Sequence, residues 1–342
     1  MHDVAVWYHE RFLEHDTGDH PENAERLREA RRRLTADLPG LTWRTPAEAS
    51  LEAIHRVHEA TYVERVRAIA ERGGGSLDLD TVISARSYEA ALLAAGAGVE
   101  AVDQALDGGT RAFLLVRPPG HHALRDRGMG FCLFNNIAIA ALHALEARGL
   151  RRVLIFDWDV HHGNGTQEAF YADPRVLFIS MHMSPHYPGT GAVDEVGAGR
   201  AAGCTVNVPL RGGCGDGAVA QVFALLVEPL ARAFRPELVL VSSGYDSQAG
   251  DPLGGLGFSE AAFQWMAAEL GRLAEAAAAG PVCFLEGGYD PEMLGRSVVA
   301  TVRGLAGEPV AFAPAATPLE HAAVVAAVRV QARYWGADLP SG

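Results

Sequence analysis

Short apolar runs, each divided from the next by a longer alanine- and leucine-rich stretch, restrict the fold of this chain more than any other feature. The runs are Val4–Trp7, Ala112–Val116, Val153–Phe156, Val176–Ser180, Thr205–Val208, Leu238–Ser242 and Val282–Leu285. Runs of this length suit buried strands and are too short for core helices. The stretches between them include Tyr88–Ala105, Asn136–Ala147, Gly217–Phe234 and Glu260–Ala279, whose apolar positions recur at helical spacing. Single strands separated by helices need crossover connections, so the expected sheet is mainly parallel and covered on both faces. No Pro/Ser-rich linker, charge run or fixed-period repeat interrupts the pattern, and one domain over residues 1–342 is expected. The alanine-rich Ala274–Gly280 reads as a helix end.

A formal net charge of −13 argues against a nucleic-acid scaffold, because phosphate binding needs clustered Lys and Arg. Cys132, Cys204, Cys214 and Cys283 show neither paired nor metal-ligand spacing and read as free thiols of a reducing cytosol. The start, Met1-His2-Asp3-Val4, lacks the basic flank and apolar segment of a secretory signal. No apolar stretch approaches the ~20 uncharged residues that span a bilayer. The expectation is a soluble cytoplasmic protein without membrane or nucleic-acid partners.

The functional signal lies just past the carboxyl ends of the apolar runs. Val116 leads into Arg117-Pro118-Pro119-Gly120-His121-His122, and Phe156 into Asp157-Trp158-Asp159-Val160-His161-His162-Gly163-Asn164-Gly165. Ile179 leads into Ser180-Met181-His182, Ser242-Ser243 into Gly244-Tyr245-Asp246, and Leu285 into Glu286-Gly287-Gly288-Tyr289. Open α/β sheets bind ligands at the carboxyl ends of their strands, so these groups should share one rim. Alternation past Phe156 puts Asp157, Asp159 and His161 on one side. Carboxylate oxygens with an imidazole nitrogen suit zinc, with iron or manganese as competitors.

Each group has a competing reading. Asp246 is a third ligand, which leaves a coordination position open as in catalytic sites, or a cap on the next turn. His121 and His122 are suited to acid–base work on a water at the metal, or are further ligands or a structural pair. Asp157 and Asn164 are available to orient them. Tyr289 is placed to donate its phenol proton to a developing oxyanion, or it is a packing residue. Phe131 of Gly130-Phe131 and Tyr187 of Tyr187-Pro188-Gly189 offer two rings for a narrow apolar slot, or pack locally. His2, His9, His15, His55, His58, His143 and His186 read as surface or structural residues.

Taken together, six ordered motifs resemble the zinc-dependent histone deacetylase superfamily, which includes bacterial histone deacetylase-like amidohydrolases and acetylpolyamine amidohydrolases. They are Arg117–His122, Gly130-Phe131-Cys132-Leu133-Phe134-Asn135-Asn136, Asp157–Gln167, Tyr187-Pro188-Gly189-Thr190-Gly191, Gly244-Tyr245-Asp246 and Glu286–Tyr289. The resemblance runs from about His15 to the helix after Tyr289. It implies the arginase/deacetylase fold, a three-layer α/β/α domain around a parallel sheet of about eight strands. It assigns one catalytic Zn2+ to Asp159, His161 and Asp246. It makes His122 the general base and then acid, and His121 its electrostatic partner. Asp157 then orients His121, Asn164 orients His122, and Tyr289 polarises the acyl carbonyl.

The resemblance also implies that Phe131 and Tyr187, next to Gly130, wall an acyl-lysine channel with Leu253 at its rim and Asp80 against the substrate backbone. A monovalent cation, usually potassium, is implied at the carbonyls of Asp157, Asp159 and His161 with Ser180 and Met181. A second such site is implied at Phe170, Asp173 and Val176. The implied reaction removes an acetyl or other short acyl group from acyl-lysine or a related acylated amine. Alternatives are an acetylpolyamine or small-metabolite deacetylase, a silent acyl-lysine-binding module, and a binuclear manganese ureohydrolase. Leu253 stands where polyamine-selective relatives carry a Glu, and the short loop from His182 to Pro188 suits an open entrance.

Overall fold

The computed structural model describes residues 2–277, 279–336 and Leu339. Its strands are β1 (Val4–Trp7), β2 (Thr42–Arg44), β3 (Gly74–Ser76), β4 (Val82–Ser84) and β5 (Arg111–Leu114). They continue with β6 (Val153–Asp157), β7 (Val176–Met183), β8 (Thr205–Leu210), β9 (Leu238–Ser243) and β10 (Val282–Leu285). Eight of these form one sheet in the order β2-β1-β5-β10-β9-β6-β7-β8. Every neighbouring pair in it is parallel. Helices flank the sheet, giving the parallel eight-stranded α/β arrangement expected from the sequence.

All seven apolar runs are strands of that sheet, and residues such as Ile155, Phe156, Leu240 and Val241 are fully buried. The eighth strand, β2, is three exposed residues at the edge, without the apolar run that marks the others. The expected helices appear as Ser87–Gly108, Asn136–Leu142 with a π turn to Ala147, Asp216–Phe234 with a π turn inside it, and Glu260–Glu275. The last is shorter than the expected Glu260–Ala279, and Ala278 lies outside the described residues, as do Met1, 337–338 and 340–342 of the expected domain.

One helix bears on the expectation about membranes. Asp216–Phe234 is 19 residues with mean hydropathy 1.4, long and apolar enough by itself to cross a bilayer. Its Phe223 packs edge-on against Phe156 of β6 at 5.3 Å, and most of its apolar stretch is buried, as in a core helix. Asp216, Glu228 and Arg232 charge this helix, so the expectation that no uncharged stretch approaches ~20 residues stands.

The topology decides where the site sits. β5 and β6, whose ends carry the histidine pair and the Asp/His cluster, are not neighbours: β10 and β9, the last strands of the chain, lie between them. Asp246 after β9 and Glu286 to Tyr289 after β10 therefore enter the gap between the two earlier motifs. The antiparallel pair β3–β4 is separate, and Asp78 to Asp80 form its tip.

Candidate active site

The expected ligand set converges. Asp159, His161 and Asp246 are buried, and their ligand atoms lie within 4.8 Å of one another. His161 Nδ1 is 3.1 Å from Asp159 Oδ1 and 3.1 Å from Asp246 Oδ2. The remaining carboxylate oxygens are held by backbone amides: Asp246 Oδ1 accepts from Val160 at 2.9 Å, and Asp159 Oδ2 from Gly287 at 2.9 Å. Gly287 has no room for a side chain, since a Cβ there would lie 2.0 Å from Asp246 Oδ2. Gly288 comes next at φ +112°, a conformation that favours glycine and turns the chain so that Tyr289 lines the cavity.

Asp157 stands apart from this group. β6 ends at Asp157, so strand alternation does not carry through to Asp159 and His161. Its Oδ2 accepts from His121 Nδ1 at 3.0 Å instead. His122 Nδ1 donates to Asn164 Oδ1 at 2.7 Å, and the two imidazole rings lie 4.0 Å apart. With Nδ1 engaged as a donor, neutral His122 keeps its lone pair on Nε2.

The environments split the pair. Burial disfavours a charged His121, but the Asp159 and Asp157 carboxylates outweigh it and raise its pKa to about 10. Burial and the adjacent His121 hold His122 well below the ordinary imidazole range. One imidazole is charged and the other neutral, the division expected of an acid–base pair. Burial also raises Asp246 to about 7, reinforced by the Asp159 charge, and lifts the Tyr289 phenol well above its usual range.

These groups open onto a cavity of about 450 Å³ lined by His122, His161, Phe131, Tyr187, Tyr289, Leu253, Gly130 and Asp80, among others. The Phe131 ring meets Tyr289 edge-on at 5.8 Å, and Tyr187 meets His122 edge-on at 5.2 Å. Ser180 pairs in register with Asp157 across β6 and β7, and Met181 is buried beside it. Phe170, Asp173 and Val176 form one turn, in which Asp173 N–H donates to the Phe170 carbonyl at 3.0 Å. The proposed zinc, histidine, tyrosine and channel residues are therefore gathered at or beneath one rim, whereas Val176 pairs with Val153 at the amino ends of β7 and β6, so the Phe170–Val176 turn lies at the opposite edge of the sheet.

Several neighbours escaped the sequence reading. His186, expected at the surface or in a structural role, lines the cavity, stacks on His161 at 4.8 Å and bonds the Leu253 carbonyl at 3.0 Å. Glu286 is buried behind the histidine pair and accepts from Gly120 and His121 N–H. Asp251 accepts from Tyr289 N–H at 2.7 Å. Glu22, Arg26 and Arg117 form a fully buried charge cluster, from which Arg26 Nε donates to the Gly288 carbonyl at 2.6 Å. Arg117, set directly after an apolar run, was a readable sign of a buried ion pair. The others gain their positions from segments remote in sequence.

The histone deacetylase domain model matches residues 20–305 of this chain. The histone deacetylase-like amidohydrolase of Pseudomonas aeruginosa is 41% identical over 288 residues, which cover 82% of this chain and 76% of that protein. The human polyamine deacetylase HDAC10 is 40% identical over 360 residues, covering 97% of this chain and 53% of that longer protein. Among solved structures, the HDA15 HD domain superposes with a TM-score of 0.92 at 36% identity, covering 98% of this chain and 96% of the other.

Proposed function

Because this chain belongs to the histone deacetylase family, we propose that it hydrolyses the amide of acyl-lysine or a related acylated amine, releasing acetate or another short acid. The observation that carries this reading is one juxtaposition. A neutral imidazole with a free Nε2, a phenol and the His161 of a buried Asp–His–Asp donor set all line one cavity.

The donor set fits zinc: two carboxylates and one imidazole are three protein ligands, the number that leaves a coordination position for chemistry. Burial and the neighbouring Asp159 charge disfavour an ionised Asp246, and a divalent cation held by both carboxylates would offset that cost. Held by Asp159, His161 and Asp246, zinc would polarise the acyl carbonyl and lower the pKa of a water. His122 Nε2 takes the proton of that water as it attacks, and returns it to the leaving amine. Charged His121, fixed by Asp157, stabilises negative charge developing nearby, while Asn164 keeps the His122 tautomer. The Tyr289 hydroxyl, whose raised pKa keeps it protonated, donates to the oxyanion. Phe131 and Tyr187 flank the apolar stem and exclude water. On the same reading, Asp157, Asp159 and His161 with Ser180 and Met181 would hold a potassium ion, which would add positive charge beneath the zinc ligands. Phe170, Asp173 and Val176 would hold a second.

The test is zinc content of the purified protein together with hydrolysis of a fluorogenic acetyl-lysine peptide. Stoichiometric zinc with turnover supports the reading; a zinc-loaded protein that binds acyl-lysine without turnover supports a binding module instead. The similarity to a polyamine deacetylase favours acetylated polyamines as second candidates. Comparing kcat/KM for acetyl-lysine peptide, acetylputrescine and acetylspermidine decides between the two substrate classes.

A further inference from the structure

Phe131, which walls the cavity, has an unusual backbone. Residues Met129 to Cys132 form a tight turn closed by Cys132 N–H on the Met129 carbonyl at 3.0 Å. Both central residues have positive φ, +55° at Gly130 and +70° at Phe131, the pattern of a type I′ turn. Such turns are dominated by Gly, Asn and Asp, and a bulky aromatic residue at positive φ persists only where its surroundings hold it.

The surroundings here come from two remote segments. His20 meets the Phe131 ring edge-on at 4.5 Å and 86°. Its own ring is fixed at both nitrogens: Glu22 N–H donates to Nδ1 at 3.0 Å, which puts the proton on Nε2, and Nε2 donates to Asp80 Oδ1 at 3.0 Å. The adjacent Thr81, fully buried, accepts the Phe131 N–H at 3.3 Å. The N-terminal loop thus pins the β3–β4 tip, and both grip the same strained residue. His20 reaches neither the Asp159–His161–Asp246 group nor the histidine pair.

We propose that His20 is a positioning residue that locks Phe131 into its strained turn and thereby sets the width of the slot for the acyl stem. This rests on the acyl-amine reading of the cavity. Removing the imidazole leaves space behind Phe131, the turn relaxes, the ring tilts outward and longer acyl groups fit.

The experiment compares acetyl-, butyryl- and hexanoyl-lysine peptides with wild type, His20→Ala and His20→Phe, each checked for zinc content and thermal unfolding. In His20→Ala the hexanoyl-to-acetyl ratio of kcat/KM is expected to rise roughly tenfold, the scale that pocket methylenes carry. The loss on acetyl substrate should appear in KM with kcat little changed, and His20→Phe, which keeps a ring against Phe131, should restore selectivity. An unchanged ratio, or a kcat falling equally for every acyl length, overturns the proposal. Should His20→Ala fail to fold, the isosteric Thr81→Val releases the same turn from its other side and is read the same way. If wild type hydrolyses none of the peptides, the acyl-lysine reading falls. A crystal structure of His20→Ala or Thr81→Val then decides the clamp by itself: Phe131 leaving positive φ supports it, and an unmoved Phe131 overturns it.

Discussion

Glu286 accepts the backbone N–H of His121 at 3.2 Å and that of Gly120 at 2.7 Å, which makes the turn carrying the histidine pair and the turn carrying Tyr289 one hydrogen-bonded unit. The two turns are 165 residues apart in sequence at this contact. Burial raises the Glu286 carboxyl to about 7. A buried acid is costly unless its oxygens are satisfied; here Oε2 accepts both amides of the histidine turn, and Oε1 accepts from the Ser242 hydroxyl at 3.4 Å.

Glu286→Ala leaves two buried N–H donors without a partner, and stability should fall by about 2 kcal/mol or more. Turnover should fall with it, because His121 loses its backbone anchor. Glu286→Gln, which retains an acceptor oxygen, should recover much of both. Urea unfolding and kinetics on the three proteins check this, and an alanine variant as stable as wild type would remove the anchoring role.

His122→Ala and Tyr289→Phe should each lower kcat by a factor of about 100 or more while leaving the melting temperature near wild type. The first removes the free imidazole nitrogen and the second only a hydroxyl. Near-normal turnover in both variants would refute the proposed roles.

Asp246→Ala should abolish stoichiometric zinc, read by elemental analysis after gel filtration. Its Oδ2 faces His161, and its Oδ1 is the acceptor for Val160 N–H. Chelation of wild type should abolish turnover, and added zinc should restore it. Zinc retained at full stoichiometry by Asp246→Ala would exclude Asp246 as a ligand.

Stability should decline as pH falls from about 6.5 toward about 4, and His58 is one identifiable cause. Its Nδ1 donates to the Leu124 carbonyl at 2.8 Å and its Nε2 accepts Asn135 N–H at 2.8 Å, so protonation breaks a hydrogen bond. Burial accordingly lowers its pKa to about 4. In the window between the folded and unfolded values the unfolded chain binds the extra proton. The contribution is therefore full above 6.5 and shrinks by about 1.4 kcal/mol per pH unit below it. His58→Gln should flatten the urea-unfolding free energy against pH by about that slope. An unaltered slope would show that His58 does not titrate in this window.

The strands and the site differ in how far the sequence reveals them. Val153–Asp157 and Leu238–Ser243 are flanked by other strands, bury both faces and so carry continuous apolar runs. β2 is exposed at the sheet edge, faces no such demand and left no trace in the pattern. Asp157 was legible as a polar strand end, but its partner was not, because alternation fails where the strand stops. His186 read as a surface or structural histidine, and His20 carried no signal in the sequence. Their roles arise from a ring stacked on His161 and a ring set against Phe131, neither of which leaves a periodic mark.

By itself the sequence determined the parallel α/β architecture, the rim on which the chemistry gathers and the identity of the groups there. Solvent exclusion from a two-faced sheet and the carboxyl ends of its strands require those residue types wherever the strands lie. Tertiary structure alone decided that β9 and β10 insert between β5 and β6, which brings Asp246, Glu286 and Tyr289 between the histidine pair and Asp159. Strand order is set by how helices and edges pack across the whole molecule, a nonlocal competition that no single segment encodes.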